Sequence, residues 1–174
     1  GSTRTQVSYS TAVNNSDNSA GGSYPFYLNG ANNNSFTGLF ASNSHALGNG
    51  FYTLQSDTNT VTQSTLWGGD IGAVLHAGSD YNTISFSTMI GNNASNYGIG
   101  LYFATHSSNS IVSSYIWGAL NGVYYDDYTY YNTISLSTMI GNGSSGSAWA
   151  GVHIDNASSY NTITQSSMRG VEHG

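Results

Sequence analysis

Two carboxylates and two imidazoles occur near the ends of strand-like segments, and they are the side chains best suited to acid–base chemistry. Asp126 and Asp155 each stand four residues after a glycine, in the segments GVYYD and GVHID. His76 has the same position after its own glycine, and His153 lies two residues before Asp155. If these segments are neighbouring strands, the carboxylates lie about 5 Å apart, close to the spacing of about 5 to 5.5 Å in a retaining glycosidase. We therefore take these four residues as candidate catalytic groups.

The charge inventory argues against catalysis. The 174 residues contain eight acidic side chains, no Lys and only Arg4 and Arg169, which gives a formal net charge of −6. Such a chain cannot neutralise a nucleic-acid backbone, and it repels acidic polysaccharides. Acidic residues at strand ends are also commonly part of a solvent-exposed surface without a catalytic role, so the sequence favours a protein that is not an enzyme. Without Cys, no disulfide and no cysteine-ligated zinc can form, and no metal or cofactor is expected.

The composition predicts a folded, β-rich chain. Ser, Gly, Asn and Thr number 29, 22, 20 and 17, which together make half of the residues. These residue types are weak helix formers, so a helical fold is not expected. The 14 Tyr, 6 Phe and 3 Trp distinguish the chain from disordered sequences, which are poor in aromatic residues. No apolar segment approaches the roughly 20 residues of a membrane span, so membrane insertion is not expected.

Internal repeats indicate the architecture. The segment 81–92, YNTISFSTMIGN, returns at 131–142 as YNTISLSTMIGN. In each unit an anchor residue is followed by apolar residues two and seven places later and, in most units, by Gly nine places later. Units of 23 to 29 residues are typical of one coil of a parallel β-solenoid, and their variable length indicates loop insertions at 92–97 and 143–148. The anchors are Thr5, Asn34, Asn59, Asn82, Asn109, Asn132 and Asn161.

On these repeats the sequence resembles the right-handed parallel β-helix (pectate-lyase-like) superfamily, from about Thr5 to Gly170. The resemblance implies an all-β solenoid of about six to seven coils that forms a single domain over residues 1–174. It implies no single activity, because the superfamily includes polysaccharide lyases, hydrolases, epimerases, phage tailspikes and adhesins. Of its polygalacturonase motifs only an Asp pair, Asp126-Asp127, occurs here, without Gly-His-Gly or Arg-x-Lys. The Asp-Pro-His signature of its epimerases does not occur, and neither does a central Arg or Lys of the lyase type.

The repeat frame also predicts which side chains face the core. Residues two and seven places after each anchor form two inward columns, and a third strand adds inward residues one and three places after its glycine. The anchor asparagines are expected to hydrogen-bond to one another across coils and to adopt the left-handed backbone conformation at a corner. The predicted inward residues are Val7, Phe36, Val61, Ile84, Ile111, Ile134 and Ile163; Ala12, Ala41, Leu66, Met89, Ile116, Met139 and Met168; and the pairs Phe51/Thr53, Ala73/Leu75, Leu101/Phe103, Val123/Tyr125 and Val152/Ile154.

Alternation along the strands predicts three outward columns. Tyr102 and Tyr124 of the third strand are predicted ligand-binding residues, as are Trp67 and Trp117 in a stripe eight places after the anchors. Two alternatives stay open for this stripe: a long loop covers it, or the register slips by one residue and the stripe belongs to the core. The columns are Tyr52, Val74, Tyr102, Tyr124 and His153; Leu54, His76, Ala104, Asp126 and Asp155; and Val13, Ser42, Trp67, Ile90, Trp117, Ile140 and Arg169.

Together these features favour an extracellular or cell-surface β-helix with a structural and adhesive role, which contacts a glycan or cell-surface polysaccharide along an aromatic face. The alternative is a polysaccharide-active enzyme, either a glycoside hydrolase or tailspike-like, that uses Asp126 and Asp155 with help from His76 or His153. A second alternative is a self-assembling filament subunit that stacks homotypically or forms a homotrimer. Because residues 161–174 stop in mid-coil and no amphipathic cap precedes Thr5, the chain is expected to be a segment of a longer solenoid or fibre.

Overall fold

The computed structural model describes residues 4–15, 23–105, 108–143 and 150–170. Within these ranges the chain forms twenty strands and no helix. The predicted insertion at 143–148 and the last four residues lie almost entirely outside them. The strands are β1 (Gln6–Ser8), β2 (Thr11–Asn14), β3 (Phe26–Asn29), β4 (Ser35–Thr37), β5 (Phe40–Asn43), β6 (Asn49–Leu54), β7 (Thr60–Thr62), β8 (Thr65–Gly68), β9 (Ile71–Leu75), β10 (Thr83–Ser85), β11 (Thr88–Gly91), β12 (Ile99–Phe103), β13 (Ser110–Val112), β14 (Tyr115–Gly118), β15 (Asn121–Tyr125), β16 (Thr133–Ser135), β17 (Thr138–Gly141), β18 (Val152–Ile154), β19 (Thr162–Thr164) and β20 (Ser167–Gly170).

Every third strand pairs in parallel, so each of the first six coils contributes one strand to each of three sheets, and the last described coil contributes to the first two only. The first sheet has the order β1-β4-β7-β10-β13-β16-β19, and the second has the order β2-β5-β8-β11-β14-β17-β20. The third sheet has the order β3-β6-β9-β12-β15-β18. The protein is therefore a parallel β-solenoid of about six turns that matches the right-handed β-helix class, as the repeat length predicted.

Hydrogen bonds join the anchor asparagines into a buried ladder. The side-chain oxygen of Asn82 accepts the backbone N–H of Asn59 at 2.8 Å and its side-chain amide at 3.0 Å. Asn82 donates in the same way to Asn109, at 2.8 and 3.1 Å, and its side-chain amide also reaches the Ser56 carbonyl at 2.8 Å. The predicted asparagine ladder is confirmed.

The predicted left-handed conformation of the anchors is wrong, because the chain turns one residue earlier. Positive φ values between 56° and 60° belong to six of the seven residues that precede the anchors, among them Tyr81, Tyr131 and Tyr160. The anchor itself must keep its N–H pointing along the solenoid axis, where it donates to the asparagine of the next coil. The left-handed residue therefore precedes it and projects its side chain outward, so that Tyr81 is 68% exposed.

A second polar ladder, formed by serines, was not predicted. The Ser87 hydroxyl accepts the backbone N–H of Ser64 at 3.1 Å and donates to the Ser85 carbonyl at 2.8 Å. Ser114 repeats the arrangement one coil later, where its hydroxyl accepts the N–H of Ser87 at 3.3 Å. Serine hydroxyls therefore bind the buried backbone N–H groups at the corner between the first and second sheets.

The apolar columns of the three sheets meet in one core. Ile84 pairs in register with Val61 and Ile111, and Met89 of the second sheet is fully buried. The predicted inward columns are confirmed except at the last described strands, where Ile154 is 52% exposed and Met168 is 55% exposed. Each of these two residues lies on the edge strand of its sheet, so only one described coil packs against it. The sequence analysis missed β3, whose Phe26 pairs with Phe51, because a proline rather than a glycine precedes it.

Glycine is required where the second sheet turns into the third. A Cβ atom at Gly72 would lie 2.5 Å from the backbone nitrogen of Ile90, on the next coil. Backbone atoms cannot move aside as the end of a side chain can, so any larger residue would force the two coils apart. The same restriction applies at the equivalent residues of the other coils, Gly50, Gly100, Gly122 and Gly151.

Candidate functional site

The outer face of the third sheet carries a column of aromatic rings, which we call the aromatic ladder. Strand register aligns its members, one from each coil, as the sequence predicted. Val74 occupies the third coil and is the one aliphatic residue in the column. The ladder also includes Tyr27 of β3, which the sequence analysis missed together with that strand. In order, the column reads Tyr27, Tyr52, Val74, Tyr102, Tyr124 and His153.

Neighbouring rings hold the ladder in place. Tyr52 packs against the rings of Tyr24 and Tyr27, whose centroids are 4.4 and 5.7 Å from its own. The imidazole of His76 also stacks on Tyr52, with the centroids 5.6 Å apart. Farther along, the Tyr102 and Tyr124 centroids are 5.6 Å apart. Burial raises the pKa of Tyr52 to about 12, so its hydroxyl stays protonated at neutral pH. The rings of Tyr52, Tyr102 and Tyr124, whose pKa values are all raised by burial, are therefore ordered and uncharged.

A cleft interrupts the ladder at Val74, where the side chain is too short to continue the row of rings. It has a volume of about 220 Å³. Tyr52 and Tyr102 stand on its two sides, and the buried side chains of Ile71 and Val74 belong to the apolar cluster beneath the ladder. Its full lining is Asn49, Tyr52, Ile71, Val74, His76, Tyr97 and Tyr102. We call this space the ladder cleft.

Asp70 holds the loop that brings Tyr97 to the ladder cleft. Its carboxylate accepts the backbone N–H groups of Tyr97 at 3.0 Å and Gly98 at 3.2 Å, and the side-chain amide of Asn96 at 2.7 Å. Burial raises the pKa of Asp70, while these three hydrogen bonds act in the opposite direction. The sequence analysis did not single out Asp70, because its Gly-Gly-Asp context repeats in no other coil.

His76 lines the ladder cleft, as a member of the outward column predicted for it. Burial lowers the pKa of its imidazole, and the charge of Asp126 opposes that shift. The Nδ1 atom is buried and has no hydrogen-bond partner among the described residues. Protonation would put a second N–H on this ring without an acceptor for it, so the neutral imidazole is favoured at neutral pH.

Asp126 and Asp155 lie on neighbouring coils, as predicted, and each is bound by a tyrosine of the ladder. Tyr102 donates its hydroxyl hydrogen to Asp126, and Tyr124 donates to Oδ2 of Asp155 at 2.7 Å. Burial and these hydrogen bonds raise the pKa of both tyrosines. The hydrogen bond from Tyr124, followed by that from the backbone N–H of Asn156, lowers the pKa of Asp155.

The two carboxylates form a group with Asp127, in which one oxygen of each residue lies within 4.8 Å of the others. This is the only such cluster of three or more acidic or histidine ligands in the part of the chain that the structure describes. Carboxylate oxygens at this spacing could hold a hard cation such as Ca²⁺, or a catalytic pair could act on a glycosidic bond. His153 stands beside the group, with its ring 4.7 Å from that of Tyr124.

Trp67 and Trp117 belong to a different face. Both pair with Ile90 on the second sheet, on either side of it, and their strand neighbours Leu66 and Ile116 are fully buried. The tryptophans therefore point outward and are half-buried, and the proposed slip of register is wrong. The structure thus brings Tyr102 and Tyr124 together with the four candidate catalytic residues on the third sheet, and it places the two tryptophans on another sheet.

Comparison of the chain with protein-family models and with curated proteins finds no match. Among the described residues, no helix is long and apolar enough to cross a membrane.

Proposed function

We propose that this protein is an extracellular or cell-surface β-helix with a structural and adhesive role, and that it binds a neutral glycan on the outer face of its third sheet. The aromatic ladder is the observation that carries the proposal. Tyrosine rings offer apolar faces to the C–H surfaces of sugar rings, while nearby polar groups bind the hydroxyls. The regular Asn-anchored coils support a fold-level relation to the pectate-lyase-like superfamily, which leaves the activity open.

The polar groups beside the ladder suit a neutral ligand. Asp126 and Asp155 each accept one tyrosine hydroxyl and have lone pairs left for sugar hydroxyls. Their negative charge, together with a net charge of −6, disfavours uronic acids and sulfated glycans. Rings that are fixed by their neighbours before binding also lose little conformational entropy when a ligand arrives.

The test is a glycan array followed by titration of any bound oligosaccharide into three variants. We expect Tyr102→Ala and Tyr124→Ala to weaken binding about two- to tenfold each, because an aromatic contact contributes about 0.5 to 1.5 kcal/mol. Tyr81→Ala is the matched control, since Tyr81 is 68% exposed at a corner outside the ladder. Binding to no neutral glycan, or equal loss in all three variants, would contradict the proposal.

The second candidate function is hydrolysis of a polysaccharide by Asp126 and Asp155. It is favoured by the oxygens of the two carboxylates, which lie within 4.8 Å of each other, near the spacing of a retaining pair. It is disfavoured by the hydrogen bond from Tyr124, which lowers the pKa of Asp155 and so opposes a role as general acid. Release of reducing ends from neutral glycans that stops in both Asp126→Asn and Asp155→Asn would establish the enzyme and overturn a purely adhesive role.

A further inference from the structure

We infer that the ladder cleft is a binding site for a single neutral pyranose ring, the ring of the glycan that enters between the stacked rings of Tyr52 and His76 on one side and the ring of Tyr102 on the other. The inference rests on the proposed function and specifies where on the ladder one sugar is recognised. The remainder of the glycan then lies along the ring faces toward Tyr124. The site differs from the ladder surface because its ligand enters between two rings instead of lying across them.

The cleft has room for one sugar ring. Tyr52 and Tyr102 are on β6 and β12, which flank β9, so their strands are about 9.6 Å apart, twice the usual spacing. His76 of the intervening coil stacks on Tyr52 and fills part of this separation, so the ligand occupies the rest of the cleft, against His76 and Tyr102. Longer side chains at position 74 would close this space, and the volume of about 220 Å³ therefore depends on Val74.

The aromatic side chains that form the walls of the cleft are held in place by their neighbours before a ligand binds. The rings of Tyr52 and His76 are stacked and nearly parallel, with planes 24° apart, and the Tyr52 ring packs against two further tyrosines. On the opposite wall, Tyr102 is held by its hydrogen bond to Asp126 and by the ring of Tyr124. The Tyr102 face that Tyr124 does not cover lies toward the coil of Val74.

Polar groups of the cleft suit hydroxyls rather than charges. Asn49 and the neutral imidazole of His76 line it, and the backbone of Tyr97 is fixed by Asp70. Amides and neutral imidazoles both donate and accept hydrogen bonds, as sugar hydroxyls do. The lining contains no Lys or Arg, and Asp126 lies close enough to His76 to affect its pKa, so an anionic sugar is disfavoured.

The test uses methyl glycosides of glucose, galactose and mannose as probes, with methyl glucuronide and 4-methylphenol for comparison. Binding is measured by NMR titration of the wild type, Val74→Tyr and Val112→Tyr. We expect at least one neutral pyranoside to bind, and Val74→Tyr to weaken it at least tenfold by completing the row of rings. Val112→Tyr, which makes the same change on the outer face of the first sheet, is expected to bind as the wild type does.

Val74 is buried, so a larger side chain at this position also disturbs the packing around it. Tyr52→Ala is therefore a second variant, which removes one wall of the cleft without adding volume. It is also expected to lose the pyranoside. Unchanged pyranoside binding in Val74→Tyr and Tyr52→Ala would overturn the cleft assignment, and so would binding of 4-methylphenol alone. If the cleft variants bind the full glycan normally while Tyr124→Ala does not, the cleft inference fails and the proposed function stands. A wild type that binds no sugar of any length contradicts both.

Discussion

At the scale of single residues, hydrogen bonds between tyrosines and carboxylates determine the properties of the outer face. Tyr124 is the main reason why the pKa of Asp155 is low, since its hydroxyl stabilises the ionised carboxylate. A carboxylate whose pKa is lowered by folding stabilises the protein above its unfolded pKa of about 3.9, and this contribution is lost as the pH falls through the folded pKa.

Replacing Tyr124 with Phe should therefore raise the pKa of Asp155 toward its ordinary value and reduce the loss of stability below about pH 4. An NMR titration of the Asp155 carboxyl carbon measures the shift. Tyr81→Phe serves as the control, because Tyr81 lies at an exposed corner. An unchanged Asp155 titration in Tyr124→Phe would show that the hydrogen bond does not set the pKa.

At the scale of elements, the loop after β11 depends on one buried carboxylate. Asp70→Ala leaves the N–H groups of Tyr97 and Gly98 without their acceptor, which costs about 1 to 3 kcal/mol for a buried group. We expect hydrogen exchange of these two amides to accelerate at least about tenfold, and pyranoside affinity in the ladder cleft to fall as Tyr97 loses its position. Asp57→Ala, which removes a carboxylate acceptor for Asp80 elsewhere, should leave both amides unchanged. Equal exchange in wild type and Asp70→Ala would contradict the role of Asp70.

Sequence reasoning succeeded for elements that repeat and missed those that do not. The alternation of Val61-Thr62 and Leu66-Trp67 recurs in most coils, so it predicts which residues of the first two sheets point into the core. β3 was missed because it has no glycine before it. The ladder cleft was also not predicted, since it arises from a small residue, Val74, between large ones and from the loop that places Tyr97 against it.

At the scale of the whole molecule, stability comes from stacking one coil on the next. Met139 and Met168 occupy the same inward column, but Met139 is fully buried and Met168 is 55% exposed. Met139→Ala should lower the free energy of unfolding by about 2 to 5 kcal/mol, whereas Met168→Ala should change it by about 0.5 kcal/mol or less. Urea unfolding of the two variants makes the comparison. Similar losses in the two variants would mean that burial by stacked coils does not determine how much each methionine stabilises the protein.

Homotypic stacking of whole chains stays a prediction, which electron microscopy of the purified protein can test.

The central claim is that the aromatic ladder of the third sheet binds a neutral glycan. An NMR titration of protein carrying isotope-labelled tyrosine and tryptophan rings tests it most directly, with the best neutral oligosaccharide from the array as ligand. We predict shifts of the Tyr52, Tyr102 and Tyr124 ring signals, without shifts of the exposed corner tyrosines. Shifts confined to Trp67 and Trp117, or no shift of any ring at saturating glycan, would contradict the claim.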